Sequence, residues 1–68
     1  MDVEFSLNGE AHAVAAGETL LDLLASLGRD PRTVAIEKNG AIVPRNEYGA
    51  APLVAGDRVE IVHFVQGG

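Results

Sequence analysis

The stretch Ala16-Gly17-Glu18-Thr19-Leu20-Leu21-Asp22-Leu23-Leu24-Ala25-Ser26-Leu27-Gly28 holds the one helix that the sequence predicts. Thr19 stands at the N-cap, and Asp22 three residues later completes a capping box, so the first backbone donors of a helix find acceptors there. Leu20, Leu23, Leu24 and Leu27 recur at i, i+3, i+4 and i+7 and form a single apolar stripe. Gly28 suits the left-handed residue that closes a helix, and Asp30-Pro31 prevents its continuation. A short helix with one apolar stripe needs one apolar surface to lie on, and the flanking segments supply it.

Before the helix, Val3, Phe5 and Leu7 alternate with Asp2, Glu4 and Ser6, the period of a strand with one buried face. Asn8-Gly9 tolerates the positive φ angles of a type I′ turn, so Glu10 to Val14 returns as the second strand of a hairpin. A two-residue loop pairs Val3 with Val14, Phe5 with His12 and Leu7 with Glu10, and the outer end then overhangs the core or carries a bulge. After the helix, Val34 and Ile36 alternate with Ala35 and Glu37 in a third strand. Asn39-Gly40 turns that strand into Ala41-Ile42-Val43, and Pro44 limits the fourth. Residues 44–57 read as a connecting loop with one helical turn near Glu47 and Tyr48, and Gly56-Asp57 opens a last strand from Arg58 to Phe64 or Val65. The order is ββαββ, a turn, then β. It predicts an α+β domain over residues 1–65, a mixed sheet of four to five strands with one helix packed across one face, which is the β-grasp or ubiquitin-like layout; residues 66–68 form a flexible C-terminal tail.

With 68 residues the chain has room for one small domain, which excludes a two-domain enzyme. It has no cysteine, so no disulfide staples it. Ten acidic residues against five basic ones give a formal charge of −5, which argues against nucleic acid and anionic membranes as partners. No apolar run approaches the roughly 18 to 20 residues that span a bilayer, and no leader pattern opens the chain, so it reads as cytoplasmic and unprocessed. Asp2, Glu4, Glu10 and Glu60 read as a solvated acidic face able to steer a basic partner. His12 and His63 lie on different strands with no acidic partner at a metal spacing. Ser6 and Ser26 have no neighbouring base, and no glycine-rich phosphate loop occurs. The expectation is no metal, no cofactor and no catalysis by this chain.

The last strand breaks the alternation. If Val59 and Ile61 point at the helix, then Glu60, Val62 and Phe64 point away, where one helix leaves nothing to cover them. Either loop 44–57 shields these side chains or they belong to a docking surface; Val62, Phe64 and Val65 are the candidate docking residues. Gln66, Gly67 and Gly68 follow directly. A terminal glycine pair is tolerated at any fraying chain end, yet without Cβ atoms it can also lie in a channel too narrow for other dipeptides. Residues 65–68 reach on the order of 10 to 13 Å, enough to carry a carboxylate into another protein's active site.

The ββαββ order, Ala16-Gly17-Glu18-Thr19-Leu20 before a leucine-rich helix, Asn39-Gly40-Ala41-Ile42-Val43-Pro44-Arg45, Gly56-Asp57 and terminal Gly67-Gly68 together resemble the ThiS family of sulfur carriers in thiazole biosynthesis. The resemblance spans essentially the whole chain. It departs in a first strand about two residues longer than in many members and in Lys38, where an apolar residue is frequent. It implies that a ThiF-like adenylating enzyme joins the Gly68 carboxylate to AMP from ATP, because a free carboxylate is a poor electrophile. Sulfur from a cysteine-desulfurase relay then displaces AMP, and the Gly68 thiocarboxylate donates its sulfur at thiazole synthase to the ring of thiamin. Gln66 and Gly67 thread the tail into these partners, and the free carrier is a monomer. The absent cysteine leaves the C-terminus as the one place to carry sulfur. Two other readings stay open: a related carrier for molybdopterin synthesis or tRNA thiolation, and a β-grasp interaction module without covalent chemistry.

Overall fold

Alternating apolar residues and an Asn-Gly turn fold the first fifteen residues into a hairpin of β1 (Asp2–Leu7) and β2 (Glu10–Ala15). The computed structural model describes residues 1–64; the expectations for Val65, Gln66, Gly67 and Gly68 lie outside the described residues. The hairpin pairs Val3 with Val14, Phe5 with His12 and Leu7 with Glu10 without a bulge, so its outer end overhangs the core. There the His12 ring meets Phe5 edge-on at 5.5 Å, an arrangement that lets a polar ring continue an apolar row.

Helix α1 (Leu20–Ser26) begins as the capping signal requires: the Thr19 hydroxyl accepts from the Asp22 N–H at 3.3 Å and the Asp22 carboxylate from the Thr19 N–H at 2.9 Å. It ends with Gly28 at φ 70°, the Gly28 N–H donating to the Ala25 carbonyl and the Arg29 N–H to that of Leu24. That pair of bonds is a Schellman closure. Leu20, Leu23 and Leu24 are buried. Leu27, the fourth member of the stripe, is 38% exposed because the helix axis stops short of it.

A single 3₁₀ turn, Pro31–Thr33, leads into β3 (Val34–Lys38), which turns at Asn39-Gly40 into β4 (Ala41–Val43). β5 (Arg58–His63) returns through the middle of the sheet. The spatial order is β2-β1-β5-β3-β4, with β5 parallel to β1 and antiparallel to β3. This is the five-stranded mixed sheet with one helix of the β-grasp fold. The core lies between α1 and one sheet face, where Phe5, Val14, Val34, Ile36 and Val59 meet Leu20, Leu23 and Leu24.

Residues 44–57 do more than connect. A 3₁₀ turn at Arg45–Glu47 brings Tyr48 into the core, its hydroxyl donating to the Val34 carbonyl at 3.4 Å, and Leu53 is buried beside it. The Leu21 N–H donates to the Tyr48 carbonyl and the Leu53 N–H to that of Glu18, so the segment is laced to the N-terminal end of α1. It therefore covers the helix side of the sheet and leaves the opposite face bare.

Candidate functional site: the last strand and its open face

β5 is held from both sides by the two Asn-Gly turns. Asn8 and Asn39 adopt φ 51° and 55°, and their glycines φ 85° and 87°, as type I′ turns demand. Each asparagine side chain then acts as a ladder partner where its own strand has turned away. The Asn8 amide oxygen accepts from the Ile61 N–H at 2.8 Å, and its Nδ2 donates to the Ile61 carbonyl at 3.3 Å. The Asn39 amide oxygen accepts from the Arg58 N–H at 2.8 Å, and its Nδ2 donates to Asp57 at 3.0 Å. Asp57, 5% exposed, also accepts from the Val54 N–H at 3.0 Å, so its buried carboxylate is satisfied at both oxygens. Sequence reading finds the turns and misses these clamps, because the asparagine that permits positive φ carries no local sign of what its amide will bond.

Along β5 the side chains alternate as expected. Val59 is fully buried and Ile61 packs against the core, while Val62 and Phe64 are 61% and 51% exposed. The Phe64 N–H donates to the Thr33 carbonyl, which extends the β3 pairing one residue past the strand and keeps Phe64 on the side of Val62. Loop 44–57, on the helix side, shields neither. On that open face Val62 lies opposite Ala35, and Glu60 opposite Glu37, whose other neighbour is the exposed Ile42. Two carboxylates directly across a ladder repel, so the apolar patch of Val62, Phe64 and Ala35 is bordered by a locally unfavourable acidic pair that a partner's cation would relieve.

The other acidic residues singled out above are exposed but not collected. Asp2, Glu4 and Glu60 lie on the open face, whereas Glu10 sits at the overhanging end of the hairpin on the helix side. His12 packs on Phe5 and His63 contacts Arg29, so the two histidines have separate surroundings. No helix among the described residues is long and apolar enough to cross a membrane.

A sequence model of the ThiS family matches residues 5–68. A thiazole synthase of Magnetococcus marinus is 48% identical over 66 residues, covering 97% of this chain and 20% of that protein. A thiazole synthase of Paramagnetospirillum magneticum is 44% identical over 62 residues, 91% of this chain and 19% of that protein. The chain thus spans about a fifth of the length of these two relatives. The sulfur carrier protein ThiS of Bacillus subtilis is 42% identical over 50 residues, 74% of this chain and 76% of that one. Among solved structures, the thiamine biosynthesis protein ThiS of Geobacter metallireducens superimposes with a TM-score of 0.79 at 27% identity, covering 97% of this chain and all of the other. With the family's sequence pattern running from the first strand through Gly67-Gly68, and the same strands and helix in space, the chain belongs to the ThiS family.

Proposed function

We propose that this chain is a sulfur carrier whose Gly68 carboxylate is adenylated, converted to a thiocarboxylate and used to donate sulfur for thiazole formation in thiamin biosynthesis. The observation that carries this reading is the family match running through Gly67-Gly68, directly after a strand whose open face is apolar. Adenylation turns the carboxylate oxygen into a leaving group: the Gly68 carboxylate attacks the α-phosphorus of ATP, releasing pyrophosphate, and the terminal sulfur of a relay persulfide displaces AMP at the carbonyl carbon. A thiol then reduces the acyl disulfide so formed, leaving the thiocarboxylate and a disulfide on the relay side. The chain brings no thiol of its own, so the sulfur comes from a cysteine-desulfurase relay. In this scheme it is a cosubstrate rather than a catalyst. It binds no cofactor, and the ATP is consumed by a ThiF-like partner. Two thiazole synthases that each contain a stretch like this chain support thiazole synthase as the acceptor.

Val62 and Phe64, with Val65, form the docking surface, and Gln66 and Gly67 thread the tail. The free carrier is a cytoplasmic monomer, and nucleic acid and membranes are not its partners. ATP–pyrophosphate exchange with a ThiF-like enzyme tests the first step: the 68-residue chain supports exchange, and the same chain extended beyond Gly68 does not. Equal exchange by the extended chain would defeat the reading. Capture of thiazole synthase, and not of a pterin-binding large subunit, separates it from the molybdopterin branch.

A further inference from the structure

The Schellman closure of α1 throws Arg29 back across the sheet toward the end of β5. Its Nη1 lies 2.6 Å from Nδ1 and 3.1 Å from Nε2 of His63, above a cleft of about 220 Å³ lined by Leu7, Asn8, Leu27, Arg29, Ile61 and His63. Two side chains of this cleft stand out. Leu27, the stripe residue that the helix fails to bury, forms one apolar wall, opposite Leu7 and Ile61. Arg29 has no carboxylate among the described residues, where Arg32–Asp30 is the ion pair, although the chain carries ten acidic side chains. Its guanidinium faces an imidazole ring, which cannot offer the two parallel acceptor oxygens with which a carboxylate binds arginine. On an acidic protein, this is a cationic mouth on an apolar cleft, beside the strand that ends in the tail.

We propose that this cleft takes an acidic side chain with a short apolar neighbour from the protein that activates the tail, its carboxylate bridging Arg29 and His63 and its apolar part lying between Leu27, Leu7 and Ile61. The inference deepens the functional reading above, and rests on it for the partner. It adds a contact on the helix side of β5, opposite Val62 and Phe64, so that the activating protein grips the last strand on both faces and fixes the direction in which the tail leaves. The occupant is argued from charge: the lining side chains include the Arg29 guanidinium and no carboxylate, and of their acceptors the Asn8 amide oxygen is used by the Ile61 N–H and the His63 ring faces Arg29 itself.

The test uses the labelled 68-residue chain and isovalerate as the probe, with isovaleramide and phosphate as controls, followed by NMR. Isovalerate is expected to shift Leu27, Arg29, Ile61 and His63 saturably, and Arg29→Gln to weaken its binding at least about tenfold, with Arg29→Lys between the two. Equal shifts with isovaleramide would reduce the site to an apolar crevice, and equal shifts with phosphate to an unselective cation; either result overturns the proposal. Movement of the resonances of residues 66–68 in ligand-free Arg29→Gln would show that the chain's own tail is the occupant. Shifts that depend on protein concentration would show a second copy there, and each of these two outcomes rejects a partner.

In the adenylation assay, Arg29→Gln is expected to raise the carrier concentration for half-maximal rate about tenfold at an unchanged maximum. An unchanged half-maximal concentration would overturn the partner assignment. If the unaltered chain is not adenylated at all while isovalerate still binds, the functional reading fails and the cleft stands.

Discussion

Asn8 does two things that a pair of substitutions can separate. Asn8→Ala places a Cβ-bearing residue at φ 51° and removes both bonds to Ile61, whereas Asn8→Gly removes only the bonds. We expect Asn8→Ala to cost about 2 kcal/mol in chemical denaturation and Asn8→Gly about half of that. Equal losses would mean that the turn conformation contributes nothing. Phe64 gives the opposite expectation. Because it is half-exposed on the open face, Phe64→Asp should change stability by no more than about 0.5 kcal/mol while weakening association with the activating enzyme. A large drop in melting temperature would place Phe64 in the core. The Asp30 carboxyl is held down to about 2, first by the Arg32 guanidinium and then by the Arg32 backbone N–H, although both side chains reach the solvent. Since the native value lies below the unfolded one of about 3.9, its small contribution is complete above about pH 4 and is lost as pH falls toward 2. A carboxyl titration by NMR should find a midpoint for Asp30 near 2 that rises in Arg32→Ala but stays below the ordinary value, because the backbone N–H at position 32 still donates.

The helix was legible before any coordinates because its signals are local. Thr19, Asp22, the leucine spacing and Gly28 each act within four residues, and all four operate in the folded chain. Thr19→Ala removes the acceptor for the Asp22 N–H and should cost about 1 kcal/mol in thermal unfolding. The same locality explains the hairpin register, which follows from a two-residue turn alone. Segment 44–57 was legible only as a loop. It has no period, and Tyr48 becomes a core residue through bonds to Val34 and Leu21, 14 and 27 positions away, which no local pattern announces. The clamps of Asn8 and Asn39 on β5 and the Arg29–His63 contact are hidden for the same reason: they join elements 19 to 53 residues apart. The open face of β5, by contrast, could be anticipated, since one short helix cannot cover two sides of a sheet.

At the scale of the molecule, every device that holds β5 keeps its final residues in register with β3 and its outer face uncovered. The core side is sealed by α1 and residues 44–57, β1 and β3 flank the strand, and two asparagines tie down Ile61 and Arg58. A small domain organised in this way is a rigid mount for whatever follows Phe64, and the family pattern places Gly67-Gly68 there. If the proposed function holds, sulfur is carried on Gly68. Intact-protein mass spectrometry reads this out, after incubating the chain with ATP, a ThiF-like enzyme, a desulfurase with cysteine, and a thiol reductant. Replacement of one oxygen by sulfur, localised by fragmentation to Gly68, is the expected result. An unaltered mass in the presence of an enzyme proven active on another carrier, or sulfur found at any other residue, would contradict it.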